Sequence, residues 1–190
     1  MKHSVIKNSI QKSLFNKLKK INGVISITIV GSFVNKNDLS GISDIDTIVI
    51  CKSLNYKKFL KCQESVREID LEKCGLPNHK LKINNTFGPL KFDEKKLVVI
   101  HLMIYDIARH YDHVTFSPFT CFDWERSKTK IGSSLKEIYP VGTLQIRDFK
   151  EVRRGINNYI KDLEKKVISY REYNFNSGKI KQRKKFKPLD

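Results

Sequence analysis

Residues 31–50, GSFVNKNDLSGISDIDTIVI, set a small-residue turn, Gly31-Ser32, before a polar loop and then two aspartates on alternate positions, Asp44 and Asp46. From Ile45 to Ile50 the run is otherwise apolar and reads as a buried strand. Alternate residues of a strand project to one face, so both carboxylates leave the same side of a sheet. Two like charges at the edge of an apolar core repel each other and lose hydration. A divalent cation relieves both effects, and Mg²⁺ favours one or two carboxylates together with substrate phosphates. The stretch therefore predicts a metal–phosphate site.

On the N-terminal side, Ile6, Ile10, Leu14, Leu18 and Ile21 recur at helical spacing, which predicts an amphipathic helix over 4–20 with Ser4 as its N-cap. Asn22-Gly23 stops it, and Val24–Val30 is a first strand. A polar loop follows from Gly31-Ser32 to Ser43, and Asp44–Cys51 is the second strand. A helix is expected over 56–74, closed by Gly75 and Pro77. Leu81–Phe87 and Leu97–Ile104 are two further strands, and short helices are expected at 107–111, 119–128 and 135–139. Phe149, Val152, Ile156, Tyr159, Leu163, Val167 and Tyr170 mark a long C-terminal helix. Residues 174–190 are polar and basic, with six Lys or Arg between Lys179 and Lys187, and read as disordered when alone. The expectation is an α/β (α+β) fold: a small mixed sheet of four to five strands flanked by helices. Residues 1–147 form its main domain, 148–173 a helix packing on it, and 174–190 a flexible tail.

The 190 residues carry 37 Lys and Arg against 20 Asp and Glu, a net charge of +17. Such an imbalance favours a polyanionic partner. A lysine-rich surface without that purpose is the plain alternative. Cys51, Cys62, Cys74 and Cys121 show neither CxxC pairing nor zinc spacing, so they read as free buried thiols in a reducing cytoplasm. The N-terminal segment lacks a signal-peptide apolar core, and no run is long enough to span a membrane.

A glycine lets the backbone approach a phosphate, and Ser32 adds a hydroxyl donor beside it. Strand, Gly-Ser, polar loop, Ser-Asp-Ile-Asp and apolar strand together resemble the DNA polymerase β-like nucleotidyltransferase superfamily, in its minimal form. The motif stands here as Gly31-Ser32-Phe33 and Ser43-Asp44-Ile45-Asp46. The resemblance covers about residues 4–106. It implies that Gly31, Ser32 and Ser43 bind the nucleotide and that Asp44 and Asp46 hold Mg²⁺. It further implies transfer of NMP from an NTP to an acceptor hydroxyl, which the basic charge suggests is on RNA or tRNA. Protein and small-molecule acceptors stay open.

The family's third carboxylate, borne on a later strand, has no counterpart. In Leu97–Ile104 the polar residue is His101; Asp106 falls on the opposite parity, and Asp93 and Glu94 precede the strand. His101 is therefore a catalytic candidate as metal ligand or base, or else a core histidine, or the strand is aligned differently. A catalytically reduced protein that binds nucleotide or RNA, or that pairs with another protein as an antitoxin does, is the alternative function. His110 and His113 could share a helix face as metal ligands but read better as an exposed or capping pair. Arg109, Lys128 and Lys130 could face a triphosphate, and Trp124, with Phe119 and Phe122, reads as core rather than as a base-stacking platform.

Overall fold

The computed structural model describes residues 2–36, 38–92, 94–176 and 180–189. Asp93 and Lys179, both weighed above, lie outside them. The main sheet has the order β3-β4-β2-β1-β5. Its strands are β1 (Val24–Val30), β2 (Ile45–Cys51), β3 (Lys80–Asn84), β4 (Leu97–Asp106) and β5 (Lys130–Gly132). β2 and β3 run parallel to β4, whereas β1 runs antiparallel to β2 and β5. The sheet is thus mixed, as expected.

Period-2 alternation divides each central strand between two cores. Ile27, Ile29, Ile45, Val49, Ile100, Leu102 and Ile104 meet Ile6, Ile10, Leu14 and Leu18 of α1 (His3–Leu18) and Phe59, Cys62 and Val66 of α3 (Tyr56–Arg67). Val30, Ile48, Ile50, Met103 and Tyr105 face the other way, toward α4 (Ile107–Phe116), α5 (Pro118–Trp124) and α6 (Leu135–Ile138). Asp44, Asp46 and His101 share the parity of this second face. All four cysteines are buried and free.

The α1 stripe is as read, but its N-cap is Lys2, without a side-chain cap, and not Ser4. The Gly31–Ser43 loop holds a short helix, α2 (Ser32–Asn35), anchored by buried Phe33. α3 stops at Arg67 rather than Cys74: Asp70 Oδ1 accepts from Lys73 N at 3.1 Å, a local side-chain bond that competes with helix continuation.

The larger correction lies at the C-terminus. α7 (Ile146–Glu164) ends where Lys166 takes φ 54°, and the chain turns into β6 (Val167–Asn174). Val167 and Tyr170, assigned above to the helix, pair instead with Pro188 and Lys185 of β7 (Lys181–Pro188). The tail is therefore half of a two-stranded sheet. Several contacts hold that hairpin to the body. Phe87 and Arg171 exchange backbone bonds of 2.8 Å each, Tyr173 Oη donates to Ile104 O at 2.9 Å, and Phe175 packs on Phe59. The apolar stripe of α7 stays outward: Phe149 is 58% exposed and Ile156 54%.

Candidate metal centre

β2 is flanked at its N-terminal end by β1 and β4, and this pairing assembles the site. Asp46 lies opposite Val30 on one side and His101 on the other. Asp44 stands two residues earlier, just before the strand. His101 Nδ1 is 2.8 Å from Asp46 Oδ1 and 4.0 Å from Asp44 Oδ2. The three ligating atoms all lie within 4.8 Å of one another. Two carboxylate oxygens and an imidazole nitrogen at this separation fit one divalent cation.

The other ring nitrogen fixes the histidine. Nε2 lies 2.8 Å from Thr86 O, and since a carbonyl only accepts, Nε2 carries the proton and donates it. Nδ1 is thereby turned to the carboxylates. Thr86 is itself held, because Asn84 Oδ1 accepts from its N at 3.1 Å and its Oγ1 at 2.7 Å. Asn84 ends β3 directly opposite His101. Burial alone would depress the His101 pKa, but the bonds to Asp46 and Thr86 and the charges of Asp46 and Asp44 outweigh it and hold the pKa above the ordinary imidazole value. A dication can occupy the place that this extra proton fills.

Asp44 accepts from Ser43 Oγ at 2.9 Å. Its pKa is raised, first by burial and then by the Asp46 charge, against the opposing pull of Ser43, His101 and Lys91. Gly31 completes the corner. Its φ is 74°, and a Cβ there would come within 2.7 Å of Asp46 Oδ2. Only glycine combines that backbone conformation with so close a carboxylate. Ser32 follows as the first residue of α2.

Asp44, Asp46, His101, Gly31, Ser32 and Ser43 thus converge on one end of the sheet. Arg109, Asp106 and the His110–His113 pair do not. Arg109 is at the opposite end of β4, bonded to Asp106 at 2.5 Å and to Ile180 O at 3.2 Å. Asp106 is on the other parity and caps α4 through Arg109 N at 2.9 Å. Lys130 belongs to β5, paired with Thr28, and Ile29 N donates to Thr129 O, so Lys128 and Lys130 lie on the sheet edge beside the end of β1 that leads into Gly31. His110 is buried rather than exposed, and His113 stacks on Trp124 at 4.9 Å. Trp124 is core, as read. Asn84, Thr86 and Lys91 escaped sequence reading. Asn84 and Thr86 form an ordinary Asn-x-Thr turn, and only the β3–β4 register gives it a role.

A mixed sheet whose glycine turn lies beside two aspartates at the start of one strand and a histidine on its parallel neighbour is the arrangement of a nucleotidyltransferase-type α/β domain. The chain belongs to the nucleotidyltransferase domain family, whose model matches residues 12–138 and so spans every strand of the main sheet. This agrees with the DNA polymerase β-like resemblance. No curated protein and no solved structure shows a significant match to the chain. Among the described residues no helix is long and apolar enough to cross a membrane.

Proposed function

We propose that the protein transfers an NMP group from an NTP to an acceptor hydroxyl on RNA, such as a tRNA end, with a divalent cation bound at the site. The observation that carries this reading is the convergence of Asp44, Asp46 and His101 beside the Gly31 turn. The acceptor oxygen attacks the α-phosphorus, the bond to the β-phosphate oxygen breaks, pyrophosphate leaves, and the hydroxyl proton passes to solvent. A bound dication supplies charge stabilisation to the transferring phosphoryl group. The Gly31 backbone and Ser32 bind the β- and γ-phosphates, and Asp44 and Asp46 hold the cation. Ser43 orients Asp44, and His101 is the third ligand, since both its nitrogens are already directed and neither is free to act as a mobile base.

RNA as acceptor is supported by the charge of +17 and by the β6–β7 hairpin, where Lys181, Arg183, Lys184, Lys185 and Lys187 surround a half-exposed Phe186. Cations of this density bind phosphates without sequence preference, and a ring adds stacking. In this reading residues 1–147 act as the catalytic domain and 148–190 extend the nucleic-acid surface. Four buried free thiols suit a reducing cytoplasm.

The test is incubation with Mg²⁺ and, in parallel, Mn²⁺, with each labelled NTP in turn and total RNA. Label should pass to RNA and vanish with Asp44→Asn or Asp46→Asn. Tight nucleotide binding with no transfer would instead favour the catalytically reduced reading, which the replacement of the third acid by His101 supports.

A further inference from the structure

This inference rests on the reading of Asp44, Asp46 and His101 as the metal centre and concerns which ion they select. We propose that His101 makes the site favour first-row transition dications over Mg²⁺, with Nδ1 as a direct ligand; Mn²⁺, the weakest binder of that series, is the paramagnetic probe that sets the lower limit of the preference. Mg²⁺ takes oxygen donors and gives up its waters reluctantly, whereas imidazole nitrogen suits the transition series. Both carboxylates alone would serve either ion. The third donor decides between them, and here it is nitrogen.

The nitrogen is prepared for that task by its surroundings. Nε2–H is fixed on Thr86 O at 2.8 Å, so Nδ1 points at the two carboxylates and the ring cannot present its other edge. A carbonyl on the far nitrogen is the outer partner that orients metal-bound histidines and raises their donor strength. That carbonyl is backed by the Asn84 bonds to Thr86 and by the paired bonds between Phe87 and Arg171. His101 is also tightly enclosed, with 11% of its side chain exposed, while Asp44 and Asp46 keep 23% and 28%. The carboxylates can meet solvent and substrate; the ring is built in.

Titration of the full chain with MnCl₂, followed by electron paramagnetic resonance, tests this without any turnover. We expect one tight Mn²⁺ site that is lost in Asp44→Asn. Pulsed spectra of that site should show a directly bound nitrogen whose coupling changes when the protein carries ¹⁵N-labelled histidine. The labelling needs no variant, so the result does not depend on how a substitution folds. Competition with Mg²⁺ then gives the affinity ratio. His101→Asp should retain cation binding, lose the nitrogen coupling, and lower the Mn²⁺-to-Mg²⁺ ratio at least ~10-fold.

Mn²⁺ bound at the aspartates without histidine coupling would overturn the proposal, as would an unchanged ratio in His101→Asp or the absence of any bound ion. Failure of the transfer reaction is a separate result. Nitrogen coupling without label transfer to RNA would leave this inference standing and remove the reaction; transfer without nitrogen coupling would do the reverse.

Discussion

Ile48 and Ile156 are the same side chain in regular elements of the same chain, yet Ile48 is fully buried and Ile156 is 54% exposed. The first belongs to the main sheet, where every central strand is covered on both faces by helices of the family domain. The second belongs to the C-terminal unit of α7, β6 and β7, which lies outside residues 12–138 and reaches the body through a few anchors: Phe87, Tyr173 and Phe175. The difference teaches that periodicity reports what a segment is able to bury, while burial itself depends on whether the chain supplies the partner. In the body the two agree. In α7 the stripe is present, but among the described residues most of it stays uncovered, Phe149 meeting Phe119 at 5.0 Å while Ile156 is 54% exposed.

Within the well-covered body, the metal centre is the place where stability yields to function, and substitutions there should separate the two properties. Asp44→Asn should lower NMP transfer by ~10²–10³-fold, since it removes a group that places the cation. Burial and the Asp46 charge both disfavour the Asp44 carboxylate. The same variant should therefore melt at the same temperature or higher in the metal-free protein. Label transfer and thermal melting measure the two effects on one preparation. Loss of both together would show Asp44 to be a structural residue and would erase the contrast.

Gly31→Ala is expected to move both properties downward. Alanine is strained at φ 74°, and its Cβ would press on Asp46 Oδ2 from 2.7 Å. A cost of about 1–3 kcal/mol in chemical denaturation should accompany loss of transfer. Unchanged stability with lost activity would mean that α2 shifts and the strand end holds.

The history of these residues in the sequence follows the same divide. Asp44, Asp46, Gly31 and Ser32 were legible because their spacing sits on contiguous strand and turn, where period and register coincide. His101 was visible as the odd residue in Leu97–Ile104, but its aim depended on the parallel pairing of Asp46 with His101. Asn84 and Thr86 were not legible, because a short-range Asn-x-Thr bond has many uses and only tertiary register selects one. The C-terminus misled for a physical reason. Val167 and Tyr170 continue the 3–4 spacing of α7, yet Val167, Ile168, Tyr170 and Tyr173 are also strand-favouring residue types, and the pairing with Pro188 and Lys185 outweighs the helical pattern. A cationic tail reads as solvated until its strand partner is known.

The seam between the two regions should be sensitive to acid. Burial, with Arg171 and His110 adding to it, pushes the His113 pKa down to about 4, and burial lowers that of His110 as well. Unfolded histidines titrate near 6.5, so between about pH 6.5 and 4 the unfolded chain binds more protons and stability falls as the pH drops. His113→Phe should leave stability at pH 8 nearly unchanged and raise it at pH 5 by about 2 kcal/mol. Fluorescence of Trp124, stacked on His113, follows the transition locally, while circular dichroism follows the whole fold. If the fluorescence change comes first on acidification, the hairpin side opens before the sheet and the two regions are separately cooperative.

The smallest effect should come from the stripe itself. Ile48→Ala removes a fully buried side chain from between β1 and β4 and should cost about 2–5 kcal/mol. Ile156→Ala touches a residue that leaves little apolar surface covered, and should fall within about 0.5 kcal/mol of the parent. The measurement is paired denaturant unfolding of both variants, run at several protein concentrations. A large Ile156 penalty that grows with concentration would show that α7 is covered in solution by something other than its own chain. A large penalty independent of concentration would show that the helix packs on its own body more closely than its exposure indicates. A negligible one makes the contrast between the regions energetic as well as geometric, because identical substitutions would then differ by the burial each residue actually has.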